Sequence, residues 1–190
     1  ADVFAIEVIG RGGHGAYPNM AVDPIHVAVQ IYSALTLLPA KEAPPNKSCV
    51  ISIGKLHGGD TANVIPDTAL IEGSLRTDDE KTRNTIVRRI EEVANSIAEA
   101  HKAKANVKYL AQIPSLVCNK CFAEEMVECI KGMGSDSITP VSGMKAGASE
   151  DFAIIAQSVP SAIMYLSAGF MDERGDIPQH NPKVRFNEDV

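Results

Sequence analysis

A chain of 190 residues with 45% hydrophobic side chains is long enough for one large or two small domains, each with a real core. Its net charge of -6, without any Lys/Arg cluster, argues against a nucleic-acid partner, and no apolar run approaches the roughly 20 residues of a membrane span. Four cysteines do not suggest a disulfide scaffold, so a reducing cytoplasm is the expected setting.

Val3 to Ile9 alternates as a strand, with Phe4, Ile6 and Val8 on one face. Directly after it comes Gly10-Arg11-Gly12-Gly13-His14-Gly15-Ala16-Tyr17-Pro18, four glycines around one imidazole. Such a loop is a plain turn or a place where something must reach the histidine, because glycine lets other groups approach the backbone closely. Asp23-Pro24 reads as a helix entry, with Ile25, Ala28, Val29, Tyr32 and Leu35 recurring at helical spacing and Leu37-Leu38-Pro39 as the expected end. Strands follow at Cys49 to Leu56 and Thr68 to Leu75, with Gly58-Gly59-Asp60 and Pro66-Asp67 as turn chemistry between them. Thr77-Asp78-Asp79-Glu80 reads as a capping box, and the helix after it turns Ile86, Ile90, Val93 and Ile97 inward, with Arg88, Arg89, Glu91 and Glu92 on the solvent side. A strand from Ala105 to Ala111 completes βαββαβ, the ferredoxin-like order, which closes near residue 113.

Past Ile113-Pro114 the reading is a helix (Phe122, Met126, Ile130, Met133), a short strand near Ser137 to Val141, and a Gly-rich loop from Gly143 to Gly147. Ser149 then caps a helix beginning Glu150-Asp151-Phe152, Ser161 to Leu166 forms a buried strand, and a long loop carries His180. This half alternates strand and helix as α/β domains do, with too few elements to close a sheet by itself. The opening strand at Val3 and the helix-start chemistry of Asn187-Glu188-Asp189 make both ends read as cut through structure, so a fragment of a longer protein is expected.

Several residues invite chemistry. Cys118-Asn119-Lys120-Cys121 lacks the second ligand pair that zinc would need, and Asn119 fits a helix cap. His26, His57 and His101 stand isolated in sequence and read as structural or surface residues. Glu150 and Asp151 match the macrodipole preference of a helix start, although their place after a Gly-rich loop keeps a supporting role beside a metal open. His180, between Pro178 and Pro182, suits a rigidly held metal ligand, but one histidine is not a site.

In order along the chain, GRGGHGAYP, Asp23-Pro24, Gly58 to Pro66 (GGDTANVIP), Glu72 to Arg76 (EGSLR), Gly147 to Phe152 (GASEDF), His180-Asn181-Pro182 and Phe186 to Asp189 (FNED) together resemble the aminoacylase and carboxypeptidase-type metallopeptidase family, its amidohydrolase branch in particular. That resemblance implies an α/β enzyme whose α+β lid, ferredoxin-like and responsible for dimerisation, is inserted into a two-metal hydrolase domain. Residues 1–113 resemble the lid and residues 114–190 an incomplete α/β hydrolase-domain segment. His14 is similar to the lid histidine that enters the partner subunit's site and polarises the scissile carbonyl, Asn63 and Arg76 to substrate-binding positions, and His180 to the last metal ligand in chain order. On this reading the glycines let another subunit's substrate come close to His14.

The family's other metal ligands and its general-base glutamate precede the lid, and no His, Asp, Glu and Cys set replaces them here. The implied cofactors are two divalent metals, zinc or manganese first, with cobalt or nickel also fitting a mixed His/carboxylate site. The implied partners are an N-acyl amino acid or small peptide as substrate and a second copy through the lid, with no nucleic acid and no membrane. The fragment alone is then expected to be inactive. An alternative is a non-catalytic module that dimerises or binds a ligand through the split-βαβ unit.

Overall fold

In a computed structural model, residues 1–134, 139–143, 150–167 and 181–185 are described. Strand β1 (Asp2–Ile9) leads into the two-residue β2 (Gly13–His14) and helix α1 (Pro24–Glu42). Then come β3 (Cys49–Gly58), the two-residue β4 (Val64–Ile65), β5 (Thr68–Thr77), helix α2 (Glu80–Ala100) and β6 (Lys104–Gln112), followed by α3 (Lys120–Gly132) and α4 (Phe152–Ala156). The four long strands form one antiparallel sheet in the order β3-β5-β1-β6, the ferredoxin-like arrangement expected from the element order.

Alternation explains how the sheet closes. Phe4, Ile6 and Val8 of β1 and Ile71 and Leu75 of β5 are buried against Val27, Ile31 and Leu35 of α1 and Ile86 and Ile90 of α2. The opposite face carries Glu7, Glu72, Arg76 and Lys108 and stays open, as antiparallel sheets allow.

Several local expectations are corrected. Helix α1 runs through Pro39 to Glu42. The proline gives up one backbone bond, but Leu38 is buried and Glu42 is held by Arg89 through contacts of 2.8 to 3.0 Å, which anchor the last turn. Arg89 is therefore an interhelical tie rather than a solvated charge. Val29 and Tyr32 are 46% and 40% exposed, because the buried stripe of α1 is Val27, Ala28, Ile31, Leu35 and Leu38.

The cap of α2 is Asp79, whose Oδ1 accepts from Thr82 N at 3.0 Å, while Thr77 belongs to β5. Helix α4 begins at Phe152, with Asp151 at the cap position and no side-chain capping bond; Ser149 lies outside the described residues. Residues 161–166 are not a strand: Ser161 accepts one backbone bond from Asn119, and among the described residues no ladder runs beside them. Of the strand expected at Ser137 to Val141, Thr139, Pro140 and Val141 are irregular and the rest lies outside the described residues.

Candidate functional site

The glycine-rich loop is half of a small flap. Its Gly13–His14 strand pairs antiparallel with Val64–Ile65, placing His14 opposite Val64. Gly15 N donates to Asn63 O at 2.9 Å, and Gly12 N donates to the Asp67 carboxylate at 2.8 Å.

Two of the glycines have a structural cause within the chain. A Cβ on Gly12 would sit 2.7 Å from the Ile65 carbonyl oxygen, and one on Gly15 would sit 3.1 Å from that of Asn63. These glycines allow the two halves of the flap to touch.

His14 is exposed, and its ring is held at one nitrogen. Ala16 N–H donates to Nδ1 at 3.0 Å, so Nδ1 is an acceptor and the neutral ring carries its proton on Nε2. Tyr17 N closes the turn onto His14 O at 2.8 Å, and the Tyr17 ring lies 5.6 Å from the imidazole. The flap thus presents an Nε2–H donor on a fixed turn. A cleft of about 820 Å³ lies between the flap and the open sheet face, lined by Glu7, His57, Asp67, Asn106 and Lys108 among others. Gly12 and Gly13 line it and His14 does not.

The structure puts His14 and Asn63 on the two backbone-paired halves of one flap and separates both from Arg76. The flap follows the Ile9 end of β1, which pairs with Thr68, whereas Arg76 adjoins Leu75, which pairs with Asp2 at the other end. Eight ladder steps of about 3.3 Å put roughly 25 Å of sheet between them. Arg76 is exposed on the open face.

Glu150 and Asp151 sit at the start of α4, where Glu150 Oε1 accepts from Phe152 N at 3.4 Å. His180 lies outside the described residues. Among the described residues no group of three or more His, Cys, Asp or Glu is placed to hold a metal ion, so those residues by themselves do not fit a metal centre. No helix among them is long and apolar enough to cross a membrane.

Sequence reasoning missed the Ala16 amide as the orienting group and Asp67 as the flap's fastener. It also placed His26 and His101 apart, but their rings are 5.1 Å from each other and Gln30 bridges them, at 2.7 Å to His26 Nε2 and 3.0 Å to His101 Nε2. The βαββαβ order was the available signal, since its two helices run antiparallel and bring the start of α1 beside the end of α2.

Comparison with known proteins decides the family. The profile of the peptidase dimerisation domain matches residues 3–102, over half of the chain. The chain belongs to the peptidase dimerisation domain family. Among curated relatives, the N-acetyl-L-cysteine deacetylase of Bacillus subtilis is 34% identical, over 98% of this chain and 43% of its own length. The hippurate hydrolase of Campylobacter jejuni is 31% identical, over 99% of this chain and 48% of its own length. A crystal structure from methicillin-resistant Staphylococcus aureus superposes with a TM-score of 0.79 at 29% identity, covering 97% of this chain and 47% of that one. A dinuclear metal-binding peptidase from Bacillus subtilis superposes with a TM-score of 0.65 at 28% identity, covering 84% and 38%. The chain therefore spans less than half the length of each of these relatives.

Proposed function

We propose that this chain is part of a metal-dependent amidohydrolase that cleaves the amide bond of N-acyl amino acids or small peptides. In this reading residues 1–113 form the lid and dimerisation domain, and residues 114–190 form a segment of the hydrolase domain. The observation that carries it is the flap histidine. His14 is held by the Ala16 amide with Nε2–H as its outward donor, on a turn that does not serve the chain's own cleft. Such a donor contributes little to a ground-state carbonyl and more as the oxygen gains negative charge. Asn63, on the paired strand of the same flap, is a second proposed substrate-binding residue. Arg76 takes the substrate carboxylate, because its planar fork matches two oxygens at once. His180 is this chain's proposed ligand to a divalent metal, zinc or manganese first.

The sheet length supports a shared site. A substrate carboxylate lies only a few ångströms from its scissile carbonyl, far less than the span between Arg76 and His14. In this reading one site combines Arg76 of one protomer with His14 and Asn63 of its partner. The two sheet edges differ in a way that supports a homodimer. The β6 edge carries Lys104 and Lys108, charges that blunt an edge, whereas the β3 edge exposes Val50 and Leu56 beside the uncovered Val29, Tyr32 and Leu37 of α1. Pairing of two β3 edges covers that surface. All four cysteines are unpaired thiols, which supports a reducing, cytoplasmic setting.

The test mixes two variants of the whole enzyme. His14→Ala should lower kcat about a hundred- to a thousandfold with a smaller change in KM, and Arg76→Ala should weaken carboxylate binding. In a mixed dimer one site lacks both residues and the other keeps both, so activity returns on mixing. If subunit exchange is confirmed and activity stays low, the two residues serve one protomer's site and the shared arrangement is wrong.

A further inference from the structure

Asp2 is fully buried, at 0% exposure. A carboxylate so placed needs a partner, and Arg83 of α2 supplies a two-pronged one: Nε to Oδ2 at 2.8 Å and Nη2 to Oδ1 at 2.6 Å. The third prong of Arg83, Nη1, reaches Glu80 Oε2 at 3.0 Å. The other oxygen of Glu80 accepts from Ser115 N at 2.7 Å, and Ser115 Oγ donates to the Thr77 carbonyl at 3.2 Å. Beside this chain of bonds Ala1 and Ile113 exchange both backbone hydrogen bonds, at 2.5 and 2.8 Å. One network therefore joins the start of β1, the end of β5, the first turn of α2 and the segment leaving β6.

Arg76 lies inside that frame. Its neighbour Leu75 pairs with Asp2, and its other neighbour, Thr77, is the acceptor for Ser115. Asp2 lies on the helix side of the sheet and Arg76 on the open side, so Arg83, through Asp2, braces the backbone beside Arg76 from the helix side. We infer that Arg83 is a positioning residue, which fixes Arg76 against the exit of the sheet unit and so sets the affinity for a substrate carboxylate. This rests on the reading of Arg76 proposed above.

Stability alone gives a weak reason for such a clamp, since replacing a buried ion pair with packed apolar groups is often neutral or favourable. A fork locked at both ends does something that apolar packing does not: it fixes the register of β1 against α2, and through the Leu75–Asp2 pair it fixes the end of β5. The shared acceptor Glu80 extends the same constraint to residue 115, where the chain passes toward α3.

The experiment compares two substrates in the whole enzyme, an N-acyl amino acid and the same compound with its carboxylate converted to a carboxamide. Arg76→Met should raise KM for the acid and leave the carboxamide nearly unchanged. Arg83→Met should copy that selectivity, with KM for the acid up about tenfold, kcat within about twofold and the carboxamide unaffected, a tenfold change being about 1.4 kcal/mol. Arg83→Lys, which keeps the charge and loses the fork, should recover part of the loss. If Arg83→Met lowers kcat/KM equally for both substrates, Arg83 is only structural and the inference is overturned. Should Arg83→Met fail to fold, Ser115→Ala decides in its place: removing one hydroxyl should raise KM for the acid alone, and an unchanged KM overturns the inference. If Arg76→Met itself does not separate acid from carboxamide, the reading of Arg76 has failed, and this outcome is distinct from a failure of Arg83 alone.

Discussion

Two regions of this chain have similar apolar chemistry and opposite fates. In residues 1–112 the apolar side chains meet across a closed sheet-and-helix sandwich: Phe4, Ile6, Ile31, Leu35, Ile71, Leu75, Ile86 and Ile90 are wholly buried. Beyond residue 113 only Ala153 and Ser161 are buried among the described residues, while Val117, Ile154, Ile155, Tyr165 and Leu166 are each more than half exposed. The difference is one of closure rather than composition. An amphipathic helix such as α3 has an apolar stripe but gains little from it until a second layer covers that stripe. The first region carries both layers in one run of sequence.

Core substitutions should expose this contrast most strongly. Phe4→Ala removes a ring packed edge-on to Tyr109, with centroids 6.5 Å apart, and should cost about 3–5 kcal/mol. Ile154→Ala, at a position 56% exposed, should cost less than about 0.5 kcal/mol. Urea unfolding of the 190-residue chain measures both. Comparable losses would mean that residues beyond 113 share the core, and the contrast would fail.

The same contrast explains what could be read from the sequence. Strand alternation such as Phe4, Ile6, Val8 and the turn chemistry around Gly59 and Pro66 are local signals, and they were sufficient for the βαββαβ order. The motifs that carry His14, Asn63 and Arg76 stand out in the sequence, but the separation of these residues does not, because distance along a sheet depends on register rather than on spacing in the chain. Misreadings arose where a distant partner overrode a local rule. Pro39 does not end α1 because Arg89, 50 residues away in sequence, holds the final turn. Thr77 does not cap α2 because β5 claims it for the ladder. Asp2 gave no sign of burial, since its partner Arg83 lies 81 residues further on. The strand expected at Ser161 to Leu166 is a different kind of miss: the apolar pattern is present, but a strand also needs a neighbour to accept its hydrogen bonds.

A smaller effect separates the two regions by pH. Helix α2 is capped by Asp79 and helix α3 by Asn119, whose Oδ1 accepts from Phe122 N at 3.0 Å, so one cap is charged and the other neutral. The Thr82 backbone N–H, then its hydroxyl, and Lys47 beyond them hold the Asp79 carboxyl below the usual carboxylate range. A depressed acid contributes stability that is fully present above its unfolded value, near pH 4, and is lost as pH falls through the lower folded value. Acidification below about pH 4 should therefore loosen the first turn of α2 and not that of α3. Asp79→Asn should keep the neutral-pH cap and remove this part of the acid sensitivity, whereas Asp79→Ala should cost about 1 kcal/mol at pH 7. Hydrogen exchange of the amides of residues 81–83 and 121–123 between pH 6 and pH 3 checks this. Equal acid protection loss in both helices would remove Asp79 as the cause.

The smallest effect leaves stability alone and reads closure through reactivity. Cys49 lies half-buried in β3, where burial, then the negative charges of Asp78 and Asp79, push its thiol up to about 11. Cys118, Cys121 and Cys129 are exposed in and beside α3. The thiolate is the species that reacts with an alkylating reagent, so each unit of upward shift lowers the reactive fraction about tenfold at a pH below both values. Treatment of the folded chain with iodoacetamide at pH 8 should modify the three thiols beyond residue 113 quickly and Cys49 roughly a hundredfold more slowly. In denaturant the burial and the two nearby carboxylates no longer act on Cys49, and all four thiols should react at similar rates. Peptide mass mapping of a labelling time course distinguishes the sites. Fast modification of Cys49 in the folded chain would show that the β3 edge opens readily, and the first region would then be less closed than its packing implies.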